Sequence, residues 1–303
     1  MPSIESKLFY SLLRFINKKK FLEMQFAFRK FDFYNSKEPP KEIYKVCSVE
    51  KRQVNARNVF TLSPTDNVST SHVLFLHGGA YVQNFVRQHW RFMSMLVQQT
   101  NCTITAPDYP LAPDQTVVDA FEMLLPLYQE VIIKEKPFNT ILMGDSAGGG
   151  LALALAQKIR RESLPRPHQI ILLSPWLDIS LTNPSIKEID RLDPFLSIKG
   201  LRKAGLAYAG QIDPNSFMLS PVNGELEDVG DITIFVGTRD ILVADARKLK
   251  GIADEKGVFI NYREYPDMVH DWMFLSFPEA KSAQKEIFDL IINKDKSGKS
   301  IQD

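Results

Sequence analysis

With 303 residues, 44% of them apolar, and a net charge of +1, the chain is large enough for one sizeable α/β domain. It is too near neutrality to suggest nucleic acid or another polyanion as a partner. Its two cysteines, Cys47 and Cys102, read as buried reduced thiols rather than a disulfide framework. No apolar stretch approaches the ~20 residues that span a bilayer. Glu5, Arg14 and the Lys18-Lys19-Lys20 run argue against a signal peptide, so a cytoplasmic location is the default expectation.

Residues 1–40 stand apart as an N-terminal helical segment. Ile4, Leu8, Leu12, Phe15 and Ile16 recur at helical spacing, with Lys7, Arg14 and the lysine triplet on other faces. The pattern predicts a helix packed over the main domain as part of a cap. The competing reading is an amphipathic helix, within residues 1–30, that makes weak contact with membrane or lipid. Asn35 to Pro40 is a polar, Pro-ended linker. From residue 41 to 295 strand and helix patterns alternate. Ile43 to Val49 and Ala56 to Leu62 read as a hairpin, and the apolar run Val73 to Leu76 as a strand buried on both faces. Then come a helix from His89 to Gln99, a strand over 103–105, a helix from Gln115 to Lys134 despite Pro126, and a strand over 140–143. An alanine- and leucine-rich helix from Ala147 to Arg161 precedes a strand over 170–173. Strands over 231–236 and 258–265 flank a helix from Ile241 to Glu255, and a helix from Glu279 to Ile292 follows. Residues 296–303 are a tail. Such alternation predicts a mostly parallel sheet flanked by helices. The Pro-rich stretch from about 178 to 222 breaks the rhythm and reads as a helical cap insertion over one end of the sheet.

Within this frame Gly144-Asp145-Ser146-Ala147-Gly148 sits between a buried strand and a helix, the context that a G-x-S-x-G nucleophile elbow requires. A serine on a sharp strand-to-helix turn exposes its hydroxyl, and the crowded turn admits only small neighbours. Upstream, His77-Gly78-Gly79-Ala80 ends a strand; the amides of Gly78 and Gly79, with that of Ala147, are the expected oxyanion donors. Of the five histidines, His270 alone follows the last strand in a loop, where a general base belongs. Asp240 is the first carboxylate beyond the preceding strand and is preferred as the orienting acid. Asp245 is the alternative, and a helix-capping role competes for Asp240.

These motifs, with Asp108-Tyr109-Pro110-Leu111-Ala112-Pro113, resemble the hormone-sensitive-lipase-like branch of the α/β-hydrolases over roughly residues 40 to 295. The resemblance implies an eight-stranded sheet, a helical cap and hydrolysis of short- to medium-chain acyl esters without cofactor or metal. It also implies Ser146, Asp240 and His270 as the triad, and Gly78, Gly79 and Ala147 as the oxyanion hole. Pro110 stands where the family usually has arginine, and Asp267 where glycine is frequent. Phe85, Trp176, Phe195, Leu196, Tyr208 and Trp272 are the candidate lining of the acyl pocket, though such residues also make plain core. Two other functions compete with ester hydrolysis. One is amide or formamide hydrolysis by the same triad; the other is non-catalytic ligand binding, which the presence of His270 disfavours.

Overall fold

The computed structural model describes residues 2–20, 23, 35–135 and 139–297. Its centre is an eight-stranded sheet in the order β1-β2-β4-β3-β5-β6-β7-β8. The strands are β1 Ser48–Val54, β2 Arg57–Ser63, β3 His72–Leu76, β4 Thr103–Pro107, β5 Thr140–Asp145, β6 Gln169–Leu173, β7 Asp231–Gly237 and β8 Ile260–Tyr265. The β1–β2 hairpin joins β4 antiparallel, and all the other pairings are parallel. The helices are α1 Ile4–Phe15, α2 Arg87–Thr100, α3 Val117–Glu135, α4 Ser146–Arg161, α5 Ile186–Ile189, α6 Ile198–Ala209, α7 Val243–Glu255 and α8 Pro278–Ser297.

Alternation along the strands divides the core into two layers. Leu74, Leu76 and Leu142 face a layer built with α3, α4, α7 and the insertion. Val73, Phe75, Ile141 and Met143 face a second layer with α2 and α8. Both faces of the central strands are therefore buried, which is why these strands read as continuous apolar runs. Parallel pairing brings their C-terminal ends to one edge: Leu76 lies beside Gly144, Asp145 beside Leu173, and Gly237 beside Tyr265. Every loop that leaves this edge can contribute to one site.

Three expectations need correction. Ile43 to Val49 is not a strand; Ile43–Lys45 is a 3₁₀ turn and β1 begins at Ser48. Ile43 and Cys47 are buried in the layer with α2, whereas β1 is an exposed edge strand rich in charge, Glu50-Lys51-Arg52, and so gives no apolar alternation. The helix expected from Gln115 begins at Val117, because the Asp119 carboxylate accepts both the amide and the hydroxyl of Thr116 and closes the first turn there. The third concerns α1. Leu13 is buried and Phe9 lies 6.2 Å from Phe277, but the predicted packing stripe of Ile4, Leu8, Leu12, Phe15 and Ile16 faces solvent. In the insertion, α5 and α6 follow the expected helical reading. Both cysteines are buried and neither is in a disulfide. Residues 24–34 and 298–303, part of the predicted N-terminal segment and tail, lie outside the described residues.

Candidate active site

Ser146 is the first residue of α4 and has φ +51°, the left-handed conformation that a sharp strand-to-helix turn imposes. Small neighbours make this turn feasible. A Cβ on Gly148 would lie 2.5 Å from the His77 carbonyl oxygen and nearer still to that of Leu76. Ser146 Oγ lies 3.0 Å from His270 Nε2, and His270 Nδ1 lies 2.7 Å from Asp240 Oδ2. All three residues are buried. The other Asp240 oxygen accepts the Leu242 amide at 2.9 Å, so this carboxylate both shapes the turn before α7 and orients the imidazole. Asp245 sits in the first turn of α7, bonded to Asn183 and away from His270. Because Asp240 lies against Nδ1, Nδ1 carries the proton in the neutral ring. Nε2 then presents its lone pair toward Ser146 Oγ.

A further carboxylate adjoins the imidazole. Asp271 Oδ2 lies 3.1 Å from His270 Nε2, and the Asp271 amide donates to Ser174 Oγ. Burial opposes a charged His270, yet Asp271 and Asp240 outweigh it and raise the imidazole well above its ordinary value. Burial likewise raises the Asp271 carboxyl, against the pull of His270.

The oxyanion loop departs from expectation. The Gly78 amide donates to Asp145 Oδ1 at 2.9 Å, so it is engaged by the elbow. Gly78 must lack a side chain because a Cβ there would collide with that carboxylate. No acceptor among the described residues takes the amides of Gly79, Ala80 and Ala147. Gly79 at φ +117° and Ala80 at φ +53° turn the loop back, and the Gly79 carbonyl accepts the Gln83 amide. Among the described residues the Ala80 amide is therefore free of an acceptor where that of Gly78 is not. His89 completes the anchor. Its Nδ1 accepts the Val86 amide, which leaves Nε2–H to donate to Asp145 Oδ2 at 3.2 Å. His77 is no rival base: burial lowers it to about 3, and its Nδ1–H donates to the Gly78 carbonyl.

Of the six residues expected to line a pocket, only Phe195 keeps appreciable exposed surface; its ring lies 5.8 Å from that of His270. Phe85 packs beneath His77, and Trp272 against Tyr265 in the core. Trp176 and Tyr208 sandwich Tyr81, which the sequence reading did not single out, at 5.5 and 4.1 Å. The Trp176 amide also donates to the Ser146 carbonyl, so this stack braces the elbow. Leu196 is buried too, and its amide is bound by Asp193. Asp193 was likewise unforeseen. Its carboxylate accepts the amides of Phe195, Leu196 and Ile241, tying the insertion to the residue after Asp240. Two departures from the family motif find their physical setting here. Asp267 has φ +63°, which explains a frequent glycine, and it pairs with Arg239. Arg57, on β2, reaches the Asp108-Tyr109-Pro110 loop and pairs with Asp108 at 2.7 Å.

The family profile of the alpha/beta hydrolase fold matches residues 73–274, from β3 through the histidine loop. The chain belongs to this family. It is 30% identical over 232 residues to an esterase of Acinetobacter venetianus, covering 75% of this chain and 76% of that one. It is 29% identical over 214 residues to an acetyl-hydrolase of Streptomyces hygroscopicus, covering 70% and 72%. The crystal structure of an esterase from the bacterial hormone-sensitive lipase family superposes with a TM-score of 0.82 over 97% of this chain and 99% of that one. At 24% identity that likeness speaks to the fold.

Proposed function

We propose that the chain hydrolyses carboxylic esters of short to medium acyl length through an acyl-enzyme on Ser146. The observation that carries this reading is the unbroken hydrogen-bond path from Ser146 Oγ through His270 to Asp240, beside three amides that have no acceptor among the described residues. In the first step Ser146 Oγ attacks the ester carbonyl carbon and its proton passes to His270 Nε2. Asp240 holds the imidazolium through Nδ1–H. The carbonyl oxygen becomes an anion, received by the amides of Gly79, Ala80 and Ala147; one such donor is worth ~10²–10³ in rate. His270 returns its proton to the departing alkoxide, and water repeats the sequence on the acyl-enzyme. A small acyl group is favoured by the kinship to an acetyl-hydrolase and by the closed stack of Tyr81, Trp176 and Tyr208 beside the elbow.

Release of p-nitrophenol from acyl esters of increasing chain length tests the proposal. Turnover is expected to peak at a short or medium chain and to fall by about 10⁴-fold or more in Ser146→Ala. Equal turnover in that variant removes Ser146 from the mechanism. A matched p-nitroanilide turned over faster than the ester would make the chain an amide hydrolase.

A further inference from the structure

Five large apolar side chains of α1 and its C-cap stand in solvent: Ile4, Leu8, Leu12, Phe15 and Ile16, each more than half exposed and Phe15 87% exposed. At 100° per residue they fall on one arc of about 120°, whose N-terminal end also holds the exposed Glu5. The opposite side of the helix is attached to the protein. Ser3, its N-cap, bonds the Glu279 carboxylate, Phe9 meets Phe277, and Leu13 is buried. The stripe is therefore turned outward by a helix that is held in place. Lys7 and Arg14 share the flank between the two sides, and Lys18, Lys19 and Lys20 follow. Residues 2–20 carry five cations and one carboxylate, in a chain whose overall charge is only +1.

The C-terminal end of α1 and the lysines after it also adjoin the candidate active site. Arg14 donates to the Arg191 carbonyl, Lys19 bonds Asp190, and Lys18 lies over the Phe195 ring, which in turn lies against His270. Leu192, next to the Arg191 that Arg14 contacts, is also half exposed. We propose that α1 and this edge of the insertion form a surface that seats the protein on an anionic bilayer, with the rim of the active site toward the lipid. An apolar face flanked by lysine and arginine suits both layers of such a bilayer, acyl chains below and anionic headgroups beside. A second copy would satisfy the apolar stripe but not the surplus of cations. Delivery of bilayer-dissolved esters to Ser146 rests on the ester-hydrolase reading; binding does not.

Co-sedimentation of the full chain with vesicles of phosphatidylcholine and phosphatidylglycerol in equal parts tests binding without reference to catalysis. Ser146→Ala should bind as the parent does. Pure phosphatidylcholine vesicles should hold the protein at least about tenfold more weakly, as should Leu8→Asp combined with Phe15→Asp, since each buried side chain of this size is worth about a tenfold factor or more. The double variant should keep parental turnover of water-soluble p-nitrophenyl acetate, which also reports its folding. Failure of the parent to bind, or equal binding by a folded double variant, overturns the proposal. So does a concentration-dependent dimer in light scattering that the double variant abolishes, since the stripe would then belong to a second copy. If the double variant does not fold, the anionic-versus-neutral comparison on the parent decides, and indifference to headgroup charge counts against the proposal.

Discussion

Asp271→Asn isolates the charge beside the proposed base. Two oxygens face His270 Nε2, Ser146 Oγ at 3.0 Å and Asp271 Oδ2 at 3.1 Å. To act as a base, Nε2 must present a lone pair. An ionised Asp271 favours the opposite state, an imidazolium with one N–H on each of two carboxylates. The charged groups around this point are Asp240 against Nδ1, Asp193 behind Asp240, and Asp145 on the Asp271 side. Asp271 thus raises the proton affinity of His270, and the parent loses activity as the pH falls through that raised value. Removing one adjacent carboxylate typically moves such a titration by about 1–3 pH units. The acidic limb of kcat/KM should therefore move to lower pH by at least about one unit. On the parent's acidic limb the variant should be about tenfold faster, and at high pH the two should converge. Asparagine tolerates the φ of +52° at this position, so the backbone need not move. Measurement of kcat/KM for p-nitrophenyl acetate from about pH 5 to about 9 decides the matter. A limb that stays in place, or moves to higher pH, refutes the reasoning.

Other consequences follow from single contacts. Asp193→Ala strands three amides, those of Phe195, Leu196 and Ile241, in buried surroundings. It should cost about 3 kcal/mol or more in urea unfolding and lower kcat through the displaced Asp240 loop. Gly148→Ala drives a Cβ into the carbonyls of Leu76 and His77, so melting temperature and turnover should fall together. Burial pushes the Cys47 thiol up to about 11, so near neutrality it stays protonated; iodoacetamide should label it only on denaturation.

The legible parts of the molecule were those governed by local rules. β3, β5, β6 and β7 are buried on both faces and announce themselves as apolar runs, whereas edge strand β1 carries Glu50-Lys51-Arg52 and does not. The elbow was legible because its steric demands fall on adjacent residues. Which loop amide is free was not, since the answer depends on Asp145, 67 residues beyond Gly78. Aromatic residues near the site read alike whether they line a pocket or fill the core, and Phe85 and Trp272 prove to be core. The 3.6-residue period of α1 gave the stripe but not its direction, because amphipathicity is the same whether the apolar side meets protein or lipid.

The long-range contacts have a common chemistry. Asp145, Asp193 and Asp240 each accept at least one backbone amide and each join two segments distant in sequence. Asp145 fixes the oxyanion loop to the elbow by way of Gly78 and His89. Asp240 fixes the histidine loop to the start of α7, and Asp193 fixes the insertion to the residue beside Asp240. A carboxyl group suits this work, since its two oxygens can each accept from a different partner. The proposed donors and base are then oriented during folding rather than during the reaction, which is the condition under which amide dipoles stabilise a developing oxyanion most effectively. Spending Gly78 on Asp145 therefore fits the chemistry. The Gly78 amide, bonded to Asp145, holds the two proposed donors that follow it in place.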